Sequence, residues 1–252
     1  MLVYGIHAVD ALLRRNPHTV DQVLLQDGRD DKRLKALLAL AQNQGISVER
    51  VSRQELGRLV EGRHQGAVAR VAASDTEGGG GLQWREPELL RHVEGKAGPV
   101  LLLVLDGVTD PHNLGACLRS ADAAGVDAVI VPRDNSASMT PVVRKVASGA
   151  AEALPLVTVT NLSRTLEALK GSGVWLFGAA GEAKKSIYNS DLTGSVALIL
   201  GAEGRGMRRL TREHCDHLIS LPMTGSVDSL NVSVAAGVCL FEARRQRLAA
   251  SE

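Results

Sequence analysis

Two textures of apolar and polar residues alternate along this chain. From about Pro99 onward, short runs that are almost wholly apolar (PVLLLVL, DAVIVP, LPLVTVT, VWLFGAA, SVALILG and HLISLP) read as strands, and the continuous ones as strands covered on both faces. Between them, apolar positions recur every three or four residues. That spacing predicts helices from about Leu114 to Ala124, over PVVRKVASGAAE, over LSRTLEALKGSG, over the short MRRLTREHC, and from about Leu230 to near the end. Strands alternating with helices imply an α/β fold with a largely parallel, doubly wound sheet. Ligands of such sheets bind outside the carboxyl ends of the strands, so the loops beginning at Asp106, Gly178, Gly201 and Pro222 are the ones to inspect.

The first part of the chain has the same alternation on a smaller scale. HAVDALLRR, DKRLKALLALAQNQG and RQELGRLV are helical in spacing, whereas VDQVLLQ, ISVERV and GAVARVAA read as strands. The segment SDTEGGGGLQW separates the two parts, and four consecutive glycines, Gly78 to Gly81, have the composition of a flexible linker. The expected organisation is a small α/β domain over residues 1–75, a linker over 76–98 and a larger domain over 99–252.

Composition narrows the function classes. Lys plus Arg is 29 and Asp plus Glu is 28, a formal net charge of +1, so a polyanionic partner must be met by local patches. Aromatic residues are 2% of the chain, which rules out base stacking as the main mode of recognition. Cys117, Cys215 and Cys239 are far apart and form no CxxC pair or Cys/His cluster. Neither a metal site nor a disulfide framework is expected, and free thiols suit a reducing, cytoplasmic setting. No stretch approaches a membrane span, and MLVYGIHAVD lacks the basic start of a signal peptide.

Three loops carry candidate chemistry. In DGVTDPHNLGACLRSADAAGVDAVI, Asn113 is placed to cap the following helix and Arg119 lies two turns in; a plain cap and a surface cation remain open readings. LILGAEGRGMRRL has the glycine order GxxGxG rather than the GxGxxG of a dinucleotide fold, and it lacks the Lys-Ser/Thr of a phosphate-binding NTPase loop. Such a turn presents bare backbone to a ligand or is merely tight, and Glu203 within it is either an acceptor for a ribose or for Arg119, or simply solvated. The third stretch, LISLPMTGSVDSLNVSVAAGVCLFEARRQ, ends a strand at Pro222 and opens a helix that is small and apolar almost all round, as fits a close contact with other backbone.

Together, Asn113-Leu-Gly-Ala-Cys-Leu-Arg119, Gly201-Ala-Glu-Gly204 and Ser229-Leu-Asn-Val-Ser233 resemble, in order and spacing, the three signature motifs of the SpoU ribose methyltransferases within the SPOUT class. The resemblance covers roughly residues 99–248. YGIHAVDALL and RHQGAVARV look like the family's small substrate-binding domain, which is similar in fold to ribosomal protein L30e. It implies a deep trefoil knot in the second domain, with the last helix drawn beneath an earlier loop, and a homodimer paired through that domain. S-adenosyl-L-methionine is the implied cofactor, held by Gly201, Leu221 and Leu230, with Gly204, Met223 and the loop at Ala179, Ala180 and Gly181 as further walls. The implied reaction is 2′-O-methylation of a ribose. Both domains together are most similar to the branch acting on a guanosine of bacterial 23S rRNA, in a loop of the peptidyl-transferase centre.

By the same resemblance Arg119 is the catalytic residue, and Asn113, Glu203, Ser229 and Asn231 hold it, the ribose and the base. A guanidinium stays protonated, which favours charge stabilisation over general-base action. His112 is poorly suited to act as a base. The first domain is expected to bind RNA through Arg14, Arg15, Arg63 and His64, with Lys32, Arg33 and Lys35 as further phosphate contacts, partly offset by Asp30 and Asp31. Other readings keep the fold but change the substrate to a tRNA or another rRNA ribose, or make the chain a non-catalytic RNA-binding factor.

Overall fold

The computed structural model describes residues 2–15, 17–29, 31–60, 64–71 and 83–250, with Arg15 and Gln83 described in backbone only. The chain divides into two compact units: residues 1–82 with 148–153, and residues 83–147 with 154–252. The run Gly78–Gly81 lies outside the described residues.

The first unit contains β1 (Leu2–Tyr4), α1 (Ile6–Arg15), β2 (Val20–Gln26), α2 (Lys32–Asn43), β3 (Ser47–Val51), α3 (Arg53–Leu59) and β4 (Ala67–Val71). Its sheet has the order β1-β4-β2-β3, parallel between β2 and β3 and antiparallel elsewhere. Strand alternation splits the core in two. Val23 and Leu25 of β2 pack with Val9, Leu13, Leu34 and Leu37 of α1 and α2, while Leu24 faces Leu56 of α3 and Val68 on the other side. Asp31 caps α2 by accepting from the backbone of Arg33 and Leu34, and Ser52 and Glu55 form a capping box on α3.

A short helix, α7 (Ala150–Ala153), belongs to this unit and lies against α1. The sequence pattern had one helix over PVVRKVASGAAE. Instead α6 (Pro141–Ala147) stops at Ser148 and Gly149, which take φ of 53° and 97°. Two successive left-handed residues end a right-handed helix.

The second unit contains β5 (Gln83–Trp84), α4 (Glu86–Gly95), β6 (Leu101–Asp106), α5 (Pro111–Ala124), β7 (Ala128–Pro132), α6, β8 (Leu156–Val159), α8 (Leu162–Gly171), β9 (Trp175–Ala179), β10 (Lys185–Ser186), β11 (Val196–Gly201), α9 (Arg209–His214), β12 (His217–Ser220) and α10 (Val232–Ala249). The sheet order is β10-β12-β9-β11-β6-β7-β8-β5, and every pairing is parallel. All six residues of β6 are buried, as a strand covered on both faces requires. Leu102 and Val104 pack with Leu89 and Val93 of α4 and with Leu162, Leu166 and Leu169 of α8. On the opposite face α10 lies against β11 and α5, and α5 against α6. Gly115 makes that last contact possible: a Cβ there would come within 2.7 Å of Val146 Cβ.

The expected linker over 76–98 is too long. Residues 83–95 form β5 and α4, and α4 supplies two side chains to the main core. A two-residue strand directly after a glycine run leaves no periodicity to read. Leu89 is fully buried, so Leu89→Ala should cost about 2–5 kcal/mol of stability in denaturant unfolding. A linker residue would cost nothing measurable.

Candidate active site

The sheet turns about β6 and β11. From β6 the chain winds outward through β7 and β8, then crosses to β9 on the other side of β11. Strand ends at such a reversal open a crevice. Asp106 and Gly201, the last residues of β6 and β11, stand in register there.

After Gly201 the chain makes a closed excursion. The Ala202 N–H donates to the Gly206 carbonyl (3.1 Å), and the Gly206 N–H donates back to the Ala202 carbonyl (2.8 Å). Gly204 and Gly206 have φ of 76° and 65°, the left-handed region that glycine enters freely. A Cβ at Gly201 would sit 1.9 Å from the Gly206 carbonyl carbon, so no other residue fits.

The exit of the loop is held by Asp106. This carboxylate has no solvent exposure and accepts from the Arg208 backbone N–H (2.8 Å) and from Arg208 Nε (2.6 Å). Asp106 was not among the site residues expected from sequence. Its one signal was an acidic residue closing an otherwise wholly apolar strand.

The tip of the loop meets the other two motifs. Glu203 Oε1 accepts from Asn113 Nδ2 (3.2 Å), Asn231 Nδ2 (2.6 Å) and the Val232 N–H (3.3 Å), and Asn231 Nδ2 also donates to Asn113 Oδ1 (3.0 Å). Asn231 caps α10 by accepting from the Ser233 N–H (2.9 Å). Glu203 therefore sits at the positive end of an 18-residue helix, a favourable place for a carboxylate. The expectation that Asn113 caps α5 needs correction. Asp110 caps it, accepting from the His112 N–H (2.9 Å) with Pro111 in the first helical position. Asn113 is thereby released for Glu203. The last helix likewise starts at Val232, not at Leu230.

A cavity of about 1030 Å³ opens beside this cluster, at the carboxyl ends of β9, β11 and β12. Its walls include Ala179, Ala180, Gly181, Gly201, Glu203, Gly204, Leu221, Met223, Ser229, Leu230 and Asn231. Every residue expected to touch a cofactor thus lines one space. Ser229 Oγ donates to Asp228 Oδ1 (3.0 Å) on the same wall.

Arg119 is not brought to that wall. It lies six residues beyond Asn113, about 9 Å along α5 and on another face. There it is exposed, one turn past Gly115 on the side that α6 approaches, and makes no hydrogen bond or ion pair among the described residues.

In the first unit, Arg14 Nε donates to Asp10 (2.8 Å) and remains exposed. Arg15 closes α1, and Arg63 lies outside the described residues. Lys32, Arg33 and Lys35 are exposed on α2. His64 Nδ1 accepts from the Gly66 N–H (3.1 Å), and burial, with Arg53 and Arg29 nearby, holds its pKa below the ordinary value. The three thiols are free, and burial pushes Cys117 and Cys239 up to about 12 and Cys215 to about 11.

Comparison with known proteins adds to this geometry. Residues 100–241 match the SpoU rRNA Methylase family, and residues 2–77 match the family of RNA 2′-O ribose methyltransferase substrate-binding domains. The chain is 60% identical over 245 residues to the 23S rRNA (guanosine-2′-O-)-methyltransferase RlmB of Pseudomonas putida, covering 97% of this chain and 96% of that protein. It is 55% identical over 247 residues to the Escherichia coli protein of the same name, covering 98% of each. Among solved structures it is similar to the SpoU methyltransferase AviRb of Streptomyces viridochromogenes in complex with AdoMet. There the TM-score is 0.68 and the identity 26%, covering 98% of this chain and 90% of that one.

Asp106 offers a direct test of how the loop is held. Asp106→Ala leaves the Arg208 N–H without its acceptor and should lower stability by about 1–3 kcal/mol, read by thermal or denaturant unfolding. Half-exposed Arg208 can recover water, which keeps the loss below that of a fully buried pair.

Proposed function

This chain belongs to the SpoU rRNA methylase family, and from that premise we propose that it transfers the methyl group of S-adenosyl-L-methionine to the ribose 2′-oxygen of a guanosine in 23S rRNA. The observation that carries this reading is the joining of Asn113, Glu203 and Asn231, from three distant segments, at the mouth of a cavity of cofactor size. The names of relatives more than half identical over nearly their whole length support the substrate, and the AdoMet complex of a similar fold supports the cofactor.

The cavity residues fit that cofactor. Gly201 offers bare backbone where a Cβ would collide, Leu221, Met223 and Leu230 offer apolar walls for an adenine, and Glu203 and Asp228 offer carboxylates. When bound, the cofactor supplies a methyl group on a positively charged sulfur. The chain has to align a weak nucleophile and stabilise it as it gains negative character. Both Asn231 amide hydrogens are spent on Asn113 and Glu203. One Asn113 amide hydrogen and Glu203 Oε2 are left to hold the sugar hydroxyl. A guanidinium at Arg119, which stays protonated, stabilises the developing charge on oxygen.

Arg119 stands away from the cavity wall within one chain, so the reading includes a homodimer that completes the site. Val234, Phe241 and Leu248 support it: they recur every seven residues on α10 and are each about half exposed (51%, 50% and 51%). A stripe of that kind on a helix suits pairing with a copy of itself. The family's trefoil knot belongs to the same reading. Gln246 bonds to the Leu192 N–H and the Ser190 carbonyl, and Arg247 to the carbonyls of Leu192, Gly194 and Val100, which suits a helix drawn beneath residues 190–194.

The first unit is assigned to RNA capture, with Arg14, His64 and the basic turn of α2 as contacts. Among the described residues no helix is long and apolar enough to cross a membrane. Work on rRNA makes the cytoplasm the expected location.

Ribose methylation of 23S rRNA, mapped by mass with and without the protein, tests the reading; one guanosine should lose its methyl group on deletion. Arg119→Ala should lower kcat/KM at least about 100-fold with cofactor affinity unchanged, and Arg119→Lys should retain more activity. Equal, complete loss in both would point to a geometric or basic role. Phe241→Glu should shift the protein toward monomer in sedimentation, with loss of activity and a retained fold.

A further inference from the structure

The loop between β7 and α6, residues 133–140, ends its strand on the same edge of the sheet as the cavity but on the other side of β6. It is held at several points. The Arg133 N–H donates to the Val159 carbonyl (2.8 Å), the Ala137 N–H donates to the Val108 carbonyl (2.8 Å), and Thr140 Oγ1 accepts from the Val143 N–H (3.3 Å). Three loops converge here: a Cβ at Gly107 would lie 3.7 Å from Ala202 Cβ and 3.8 Å from the Asn135 carbonyl oxygen. Ala202 lines the cavity.

On this fixed frame the loop presents Arg133, Asp134 and Asn135 to solvent, whereas the Ser136 hydroxyl is buried. Arg133 and Asp134 are 64% and 77% exposed and pair only loosely, at 3.9 Å, so a ligand that offers each a closer partner can displace the pair. Asn135 has φ of 57° and turns the chain sharply at the tip. A held loop that exposes an adjacent cation and carboxylate beside a cavity suits a ligand with an anionic group next to a pair of hydrogen-bond donors. The loop thus stands at the strand ends next to the cavity that the proposed function gives to the cofactor.

We propose that Arg133 and Asp134 clamp the target nucleotide: Asp134 accepts the N1–H and the 2-amino group of guanine, and Arg133 holds the adjoining phosphate. A carboxylate matches the two parallel donors of guanine's pairing edge and no edge of adenine or uracil, which makes Asp134 a specificity-determining residue. The inference rests on the guanosine reading above and deepens it.

Mononucleotides test it on the full-length protein by NMR titration. Guanosine 5′-monophosphate should bind about tenfold more tightly than inosine 5′-monophosphate, which lacks only the 2-amino group, and more tightly than guanosine, which lacks the phosphate. Asp134→Ala should erase the first difference and keep the second, Arg133→Ala the reverse, both with unchanged thermal midpoints. On 23S rRNA transcripts Asp134→Ala should lower kcat/KM about tenfold with cofactor affinity unchanged. Equal binding of the two monophosphates, no binding of either, or a preference that survives Asp134→Ala would overturn the proposal. Were the wild-type protein to methylate no ribose of 23S rRNA, the functional reading would fall, while the monophosphate ratio would still judge the clamp.

Discussion

One carboxylate oxygen organises the site. Glu203 Oε1 accepts from Asn113, Asn231 and the backbone of Val232, so residues 90 and 28 positions away meet on one atom. The arrangement has little slack. Asn231 spends both amide hydrogens inside the cluster and its carbonyl oxygen on the cap of α10. Replacing any one of the three side chains leaves the others with unmatched groups, and the cost falls on the entrance of the cavity rather than on the sheet.

That atom is in place only because the loop carrying it is held at both ends. Gly201 continues β11 in register with Asp106, and Asp106 takes the backbone and side chain of Arg208 where the loop leaves. Between these points the Ala202–Gly206 bridge turns residues 202–206 into a small closed hairpin. Crowding does the rest: Gly201 lies against the Gly206 backbone so closely that the loop cannot pivot about its root. Steric exclusion and one buried carboxylate thus fix a site that side-chain packing alone would leave loose.

The sheet and most helices were legible because burial on both faces writes a continuous apolar run, as in β6, β7 and β11, and because the three motif loops carry unusual strings of small and polar residues. What escaped the sequence was long-range or local in a way that periodicity does not record. The β5–α4 segment hides behind a glycine run. The break between α6 and α7 depends on two left-handed residues, one of them Ser148, which is no helix breaker by type. The capping role passed from Asn113 to Asp110 because Pro111 favours the first helical position, a signal present in the sequence and outweighed by the later Asn. The bond from Asp106 to Arg208 spans 102 residues, and no pattern along the chain announces it.

Charge placement explains how a chain with a net charge of +1 can act on a polyanion. Around the site the basic residues of α9 and its approach are mostly tied to carboxylates: Arg208 to Asp106, Arg209 to Glu213 and Arg212 to Glu182. Paired cations release few counterions, so the catalytic face has weak affinity for RNA backbone as such. Arg119 and Arg205 have no such partner among the described residues. With few unpaired cations beside the cavity, long-range attraction to phosphates contributes little there. On the function proposed above, capture would fall to the smaller unit, which matches a substrate-binding family, and selectivity to the strand ends.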